Sequence, residues 1–161
     1  MKKLFRVAAA MLLAAMLLSL LAACGGGKIK DDVPVDDLST AVDKAIGNEG
    51  DMMAVDAGYV KNTLSIDESS YEAFAVRVNA GNLDEYGIFK GKDKAQTNAL
   101  AAAVKSYLEK RNEAWTHQYM QDMYPKLRDA EYKVVGNYVI YGILTEDAKA
   151  AGFKALETQL Q

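Results

Sequence analysis

The stretch Glu131-Tyr132-Lys133-Val134-Val135-Gly136-Asn137-Tyr138-Val139-Ile140-Tyr141-Gly142-Ile143-Leu144 reads as two strands joined by a short turn. Two runs rich in β-branched and aromatic residues flank a Gly-Asn pair, the pattern of a hairpin with a tight turn. The predicted strands are Glu131 to Val135 and Tyr138 to Leu144. Alternate residues of a strand point to opposite faces. Tyr138, Ile140 and Leu144 therefore share one face, and Val139, Tyr141 and Ile143 share the other. A strand apolar on both faces is either central and covered twice, or half exposed as a contact surface. Val139, Tyr141 and Ile143 are the residues that such a contact surface would use.

A second hairpin lies upstream. From Tyr71 the period is two: Phe74, Val76 and Val78 alternate with Ala73, Ala75 and Arg77. Ala80 to Leu83 forms the turn, and Glu85 to Lys90 returns. Asp93, with Gln96 three residues on, reads as a helix cap. The helix it opens is expected from about Lys94 to Met120, with Leu100, Val104, Tyr107, Leu108, Arg111 and Trp115 along one side. Arg111 and Trp115, four apart, are placed to stack. Pro125 ends the helix before Tyr124. Thr145 caps a final helix with Phe153, Leu156 and Leu160 inward.

Two helices are expected before the first hairpin. Val35, Leu38, Val42 and Ile46 line one face, with Gly47 as the stop. Met53, Ala57, Val60 and Leu64 line the other. The order is ααββαββα, an α+β fold with one largely antiparallel four-stranded sheet and helices gathered on a face.

The N-terminus has a different character. Residues 1–23 read as a signal peptide: Lys2, Lys3 and Arg6, then an apolar run from Val7 to Leu21. That run is shorter than the roughly 20 residues a membrane-spanning helix needs. It ends in Leu21-Ala22-Ala23-Cys24, which resembles the bacterial lipobox. In such lipoproteins a diacylglyceryl group joins the cysteine and a peptidase cuts before it, here between Ala23 and Cys24. Two acyl chains are what stable anchoring requires. Residues 24–34 then read as a lipidated cysteine and a flexible tether, Gly-rich and charged. Residues 35–161 form the single domain.

Composition narrows the function. Removing Lys2, Lys3 and Arg6 takes the formal charge from −3 to −6, which disfavours nucleic acid as a partner. Cys24 is the only cysteine and His117 the only histidine, so neither a disulfide framework nor a structural zinc site is expected. No metal, no cofactor and no catalytic residue is indicated. Gly87, Gly91 and Lys92 lack P-loop spacing, and Asp93 follows where a hydroxyl is needed. The carboxylate pairs Asp36-Asp37 and Glu146-Asp147 suit helix starts. Asp84 and Glu85, as neighbours at a strand, are expected on opposite faces.

The layout resembles the family of small Gram-positive lipoproteins called domain of unknown function 4358. The likeness rests on Val33-Pro34-Val35-Asp36-Asp37-Leu38, on Asn82 to Asp93, and on Gly136 to Tyr141 followed by Thr145-Glu146-Asp147. It implies a Firmicutes-type lipoprotein on the outer face of the cytoplasmic membrane, held there through diacylglyceryl-Cys24. It assigns no activity. Two roles follow. One is a non-enzymatic module binding an envelope protein or wall component through the sheet or its tyrosines. The other is a ligand-capture accessory of a membrane transporter. An uncovered apolar sheet face would favour the first, and a pocket lined by tyrosine and a charged residue the second.

Overall fold

The computed structural model describes residues 28–47, 51–79, 81–116 and 120–161. The signal peptide, Ala23, Cys24 and His117 lie outside them. Helix α1, Val35–Ile46, opens the fold. The short strand β1, Met53–Ala54, follows. Helix α2, Ala57–Tyr59, runs on into a π-helical turn, Val60–Leu64. Strands β2, Ala73–Val78, and β3, Glu85–Lys90, form the first hairpin. Helix α3 spans Lys94–Glu113 and α4 spans Tyr124–Arg128. Strands β4, Glu131–Val135, and β5, Tyr138–Ile143, form the second hairpin, and α5, Glu146–Leu160, closes the fold.

The fold is mixed α and β around one antiparallel sheet, but the sheet has five strands where four were expected. Their order is β1-β2-β3-β5-β4. The added strand comes from the segment expected to begin the second helix. Asp56 is extended and its carboxylate accepts from Tyr59 N–H at 2.8 Å, so the helix starts only at Ala57. Met53 and Ala54, left outside it, pair with Val78 and Arg77.

Helices pack on both faces of the sheet rather than gathering on one as expected, and the short α4 before β4 further departs from the expected ααββαββα order. Leu38 and Val42 of α1 and Leu156 and Leu160 of α5 pack on Tyr86, Ile88, Tyr138 and Ile140. On the other face Leu100, Val104, Tyr107 and Leu108 of α3, with Val60 and Leu64, pack on Val76, Phe89, Val139, Tyr141 and Ile143. The expected contact surface is therefore core: Val139, Tyr141 and Ile143 are each 0% exposed. Parity placed them on one face correctly, but a third layer covers it. Full burial of each apolar side chain is worth about 1.5–3 kcal/mol, so the second layer is a main source of stability.

The long helix also stops earlier than expected, at Glu113. At about 1.5 Å per residue its 20 residues already span about 30 Å, more than the roughly 17 Å of a six-residue strand beneath. Trp115, just beyond the end of the helix, still packs partly buried against the core on this face. Pro125 sits at the start of α4, where its missing N–H costs nothing.

Two caps fall where the sequence placed them, whereas α1, which Asp36 or Asp37 was expected to cap, starts from Pro34 with no side-chain cap bond and holds both aspartates in its first turn. Asp93 accepts from Gln96 N–H at 2.8 Å, and Thr145 accepts from Ala148 N–H at 3.4 Å. Residues 29–33, expected within the tether, lie against the domain. Lys30 N–H donates to the Leu160 carbonyl at 2.8 Å, and the Tyr138 hydroxyl to that of Val33 at 2.7 Å.

Gly87 shows how tightly the second face is built. A Cβ there would meet Tyr141 Cε1 at 2.3 Å and Val76 Cγ2 at 2.9 Å. The Tyr141 ring lies across the space that a side chain would take. Gly87→Ala is expected to cost about 1–3 kcal/mol by overpacking, read as a lower midpoint in urea unfolding. An unchanged midpoint would show that the ring does not rest on this glycine.

Candidate functional site: a buried carboxylate beneath a cleft

Glu85 begins β3 and faces the α3 layer, only 2% exposed. A buried carboxylate must be neutralised and hydrogen-bonded. Three side chains do this. The hydroxyls of Tyr107 and Tyr141 donate to Oε1 at 2.6 and 2.8 Å. Arg111 Nη1 donates to Oε2 at 2.5 Å and also to the Tyr107 hydroxyl. Tyr107 and Arg111 lie one turn apart on α3, and the guanidinium sits 5.7 Å from the Tyr107 ring centre. The expected Arg111–Trp115 stack is replaced by this contact, and Trp115 stacks on Tyr124 at 6.1 Å.

The electrostatics follow from burial. Desolvation pushes the Tyr107 and Tyr141 hydroxyls well above the usual tyrosine range, and the Glu85 charge adds to the shift. Both remain proton donors to the carboxylate. Burial works to lower the pKa of Arg111, but Glu85 and Tyr107 beside it outweigh this and raise it. Tyr59, on α2, is raised by burial and then by Glu85.

Above the ion pair lies a cleft of about 460 Å³. Met53, Val55, Val78 and Leu83 make its apolar wall, and Tyr59, Asp84, Glu85 and Arg111 add polar groups. Asp84, 6% exposed, has its own cation, Lys126, at 2.5 Å. Asp84 and Glu85 thus reach one cleft despite being neighbours, because Asp84 belongs to the turn and strand parity begins at Glu85. Arg111 also borders a second depression of about 360 Å³, beside Thr63, Ser65 and Lys110.

The turn that shapes the cleft is held in a conformation unusual for its residue. Leu83 has φ 63°, a left-handed geometry that a leucine adopts only when its surroundings enforce it. Asn82 Oδ1 accepts from Asp84 N–H at 2.9 Å, Asn79 N–H donates to the Asp84 carbonyl at 2.7 Å, and Lys126 Nζ donates to the Asn82 carbonyl at 3.2 Å.

The other sequence candidates stay apart from this site. Gly91 packs under Thr97, where a Cβ would meet Thr97 Oγ1 at 2.5 Å, so it is a packing glycine. Among the described residues no group of three metal-binding side chains occurs. Sequence reasoning missed the Glu85 cluster. The signal was Arg111 itself, a charge on the apolar stripe of α3, which calls for a buried partner.

Two outcomes are expected. Arg111→Met leaves Glu85 uncompensated and should cost about 3–5 kcal/mol of stability, whereas Tyr141→Phe removes one hydrogen bond and should cost about 1–2 kcal/mol. Equal costs in urea unfolding would contradict the network. The second outcome concerns alkaline pH. Tyr86, Tyr107 and Tyr141 have raised pKa values from the ordinary 10.0. Their protonated forms stabilise the fold fully below pH 10. That contribution drains away above it, as unfolded tyrosines ionise first, by about 1.4 kcal/mol per pH unit for each. The unfolding free energy from pH 10 to 11.5 should fall with that slope, and less steeply in Tyr141→Phe.

No curated protein and no solved structure matches the sequence. A family model described as Domain of unknown function (DUF4358) matches residues 44–144. That range holds all five strands, α3, and every residue of the Glu85 cluster and its cleft. It spans more than half of the chain, and the chain belongs to this family.

Proposed function

We propose that the chain is an exported lipoprotein of the Firmicutes type, anchored to the outer face of the cytoplasmic membrane through diacylglyceryl-Cys24. Its domain is a non-enzymatic binding module that takes a small molecule or peptide in the Glu85 cleft. Such capture suits an accessory of a membrane transporter. The observation that carries the reading is the cleft itself: a concave, partly apolar space whose lining includes Tyr59, Glu85 and Arg111. Ligand sites combine apolar walls with a few fixed polar groups in this way.

Binding suits the chemistry better than catalysis. A general base needs a free lone pair near the operating pH. Glu85 is held by three donors, one of them the Arg111 cation, and the tyrosines beside it hold their protons. The other role, contact with an envelope protein or wall component through the sheet or its tyrosines, has less to support it, because helices cover Val139, Tyr141 and Ile143 and leave Tyr132 and Val134 of the edge strand β4 as exposed apolar residues of that face.

Intact-mass measurement of the native protein should give a chain beginning at a lipidated Cys24. An unmodified Cys24, or a different N-terminus, would remove the anchor. For the cleft, native mass spectrometry of the membrane-extracted protein should reveal a bound small molecule. Val78→Trp, which fills the cleft, should lose it. A mass equal to the bare lipoprotein before and after that substitution would count against capture.

A further inference from the structure

The two ends of the sheet carry different features. Residues 29–33 dock at one end. Lys30 N–H bonds the Leu160 carbonyl, the Lys30 ammonium reaches the Gln159 carbonyl at 3.4 Å, and Ile29 lies over Gly136 at the β4–β5 turn. Tyr138, the first residue of β5, binds the Val33 carbonyl at this end. Here also α3 begins, with Gly91 N–H donating to the Asn137 carbonyl at 2.8 Å.

The cleft lies at the opposite end. In the β3–β5 ladder Lys90 pairs with Tyr138 and Glu85 with Ile143, so Glu85 is a full strand, about 17 Å, from the docked end. Arg111 is 17 residues along α3 from Lys94, about 25 Å at the helical rise.

We infer that the domain stands on the membrane by its Ile29–Val33 end and presents the cleft to the aqueous side, so the ligand is a water-borne solute or peptide rather than a bilayer lipid. This rests on the Cys24 anchor proposed above. The magnitudes favour that orientation. Five residue steps join Cys24 to Ile29, which reach at most about 17 Å when fully extended. Turning the cleft onto the bilayer would lift the docked end by roughly the length of α3 up to Arg111, about 25 Å. The link is too short for this unless residues 29–33 leave the domain. Charge does not counter the anchor either: Lys28, Lys30, Asp31 and Asp32 balance one another beside it.

The test uses the full lipidated chain in phosphatidylcholine vesicles carrying a nitroxide on the headgroup as quencher. Lipidation occupies Cys24, so Met53→Cys at the cleft rim and Gln161→Cys at the docked end each offer a single free thiol for a fluorescent label. Met53 is 60% exposed, so labelling should leave the fold intact. The Gln161 label is expected to be quenched at least fivefold more than the Met53 label. Adding Lys30→Pro, which removes the N–H bonded to Leu160, should narrow that difference. Equal quenching, or stronger quenching at Met53, would overturn the orientation while leaving ligand capture open. Failure of the labelled protein to float with the vesicles would remove the anchor and the orientation together. A ligand lost only on Val78→Trp would still support the cleft.

Discussion

A single buried carboxylate organises this domain. Glu85 has almost no contact with water, and a lone charge in that position would cost several kcal/mol. Its partners come from two separate elements, Tyr141 on β5 and Tyr107 with Arg111 on α3. The cluster therefore links the central hairpins to the helix above them and fixes their relative height. The demand spreads to the backbone. For the Tyr141 hydroxyl to reach Glu85, its ring must cross β3, and the residue beneath must lack a side chain. Gly87 meets that requirement. Apolar packing supplies most of the energy, but it tolerates sliding; a three-donor carboxylate does not.

The opposite face repeats the device one residue later. Tyr86 donates to the Ser39 carbonyl at 3.1 Å and to Asp43 at 2.7 Å, while Arg77 lies 3.6 Å from Asp43 and donates to Ser39 Oγ. Burial, then the bond to Asp43, raises the Tyr86 pKa. Adjacent residues of β3 thus send polar groups to both helical layers at the same end of the sheet. Each layer is held by an apolar stripe along its length and a hydrogen-bonded charge cluster at that end.

The local features of this fold were legible in the sequence. Glu85–Lys90 and Glu131–Val135 were visible as strands because period and turn residues agree, and Asp93 and Thr145 because capping is a short-range interaction. What escaped was nonlocal. Two residues such as Met53 and Ala54 carry no period, and only the edge of β2 makes them a strand. The alternation in Val139, Tyr141 and Ile143 shows which residues share a face, but not whether another layer exists to cover it. That depended on α3 and the π-helical turn lying across from α1 and α5. Arg111 was visible as a charge on an apolar stripe, yet its partner sat on a strand 26 residues away.

The concentration of costly features at one end of the sheet has a physical reading. A leucine in left-handed geometry, two ion pairs with poorly solvated carboxylates and a two-residue edge strand all border the same cleft. An apolar loop closing this end would avoid each of these costs. The other end holds a Gly-Asn turn, a well-capped helix start and an N-terminal segment tied down by backbone hydrogen bonds, together with one costly group, the buried Tyr71 hydroxyl that finds no hydrogen-bond partner among the described residues. Strain persists where the surrounding structure enforces it, and here the enforcing groups, Asn82, Lys126 and Asn79, serve to hold the wall of a cleft open above a fixed charge pair.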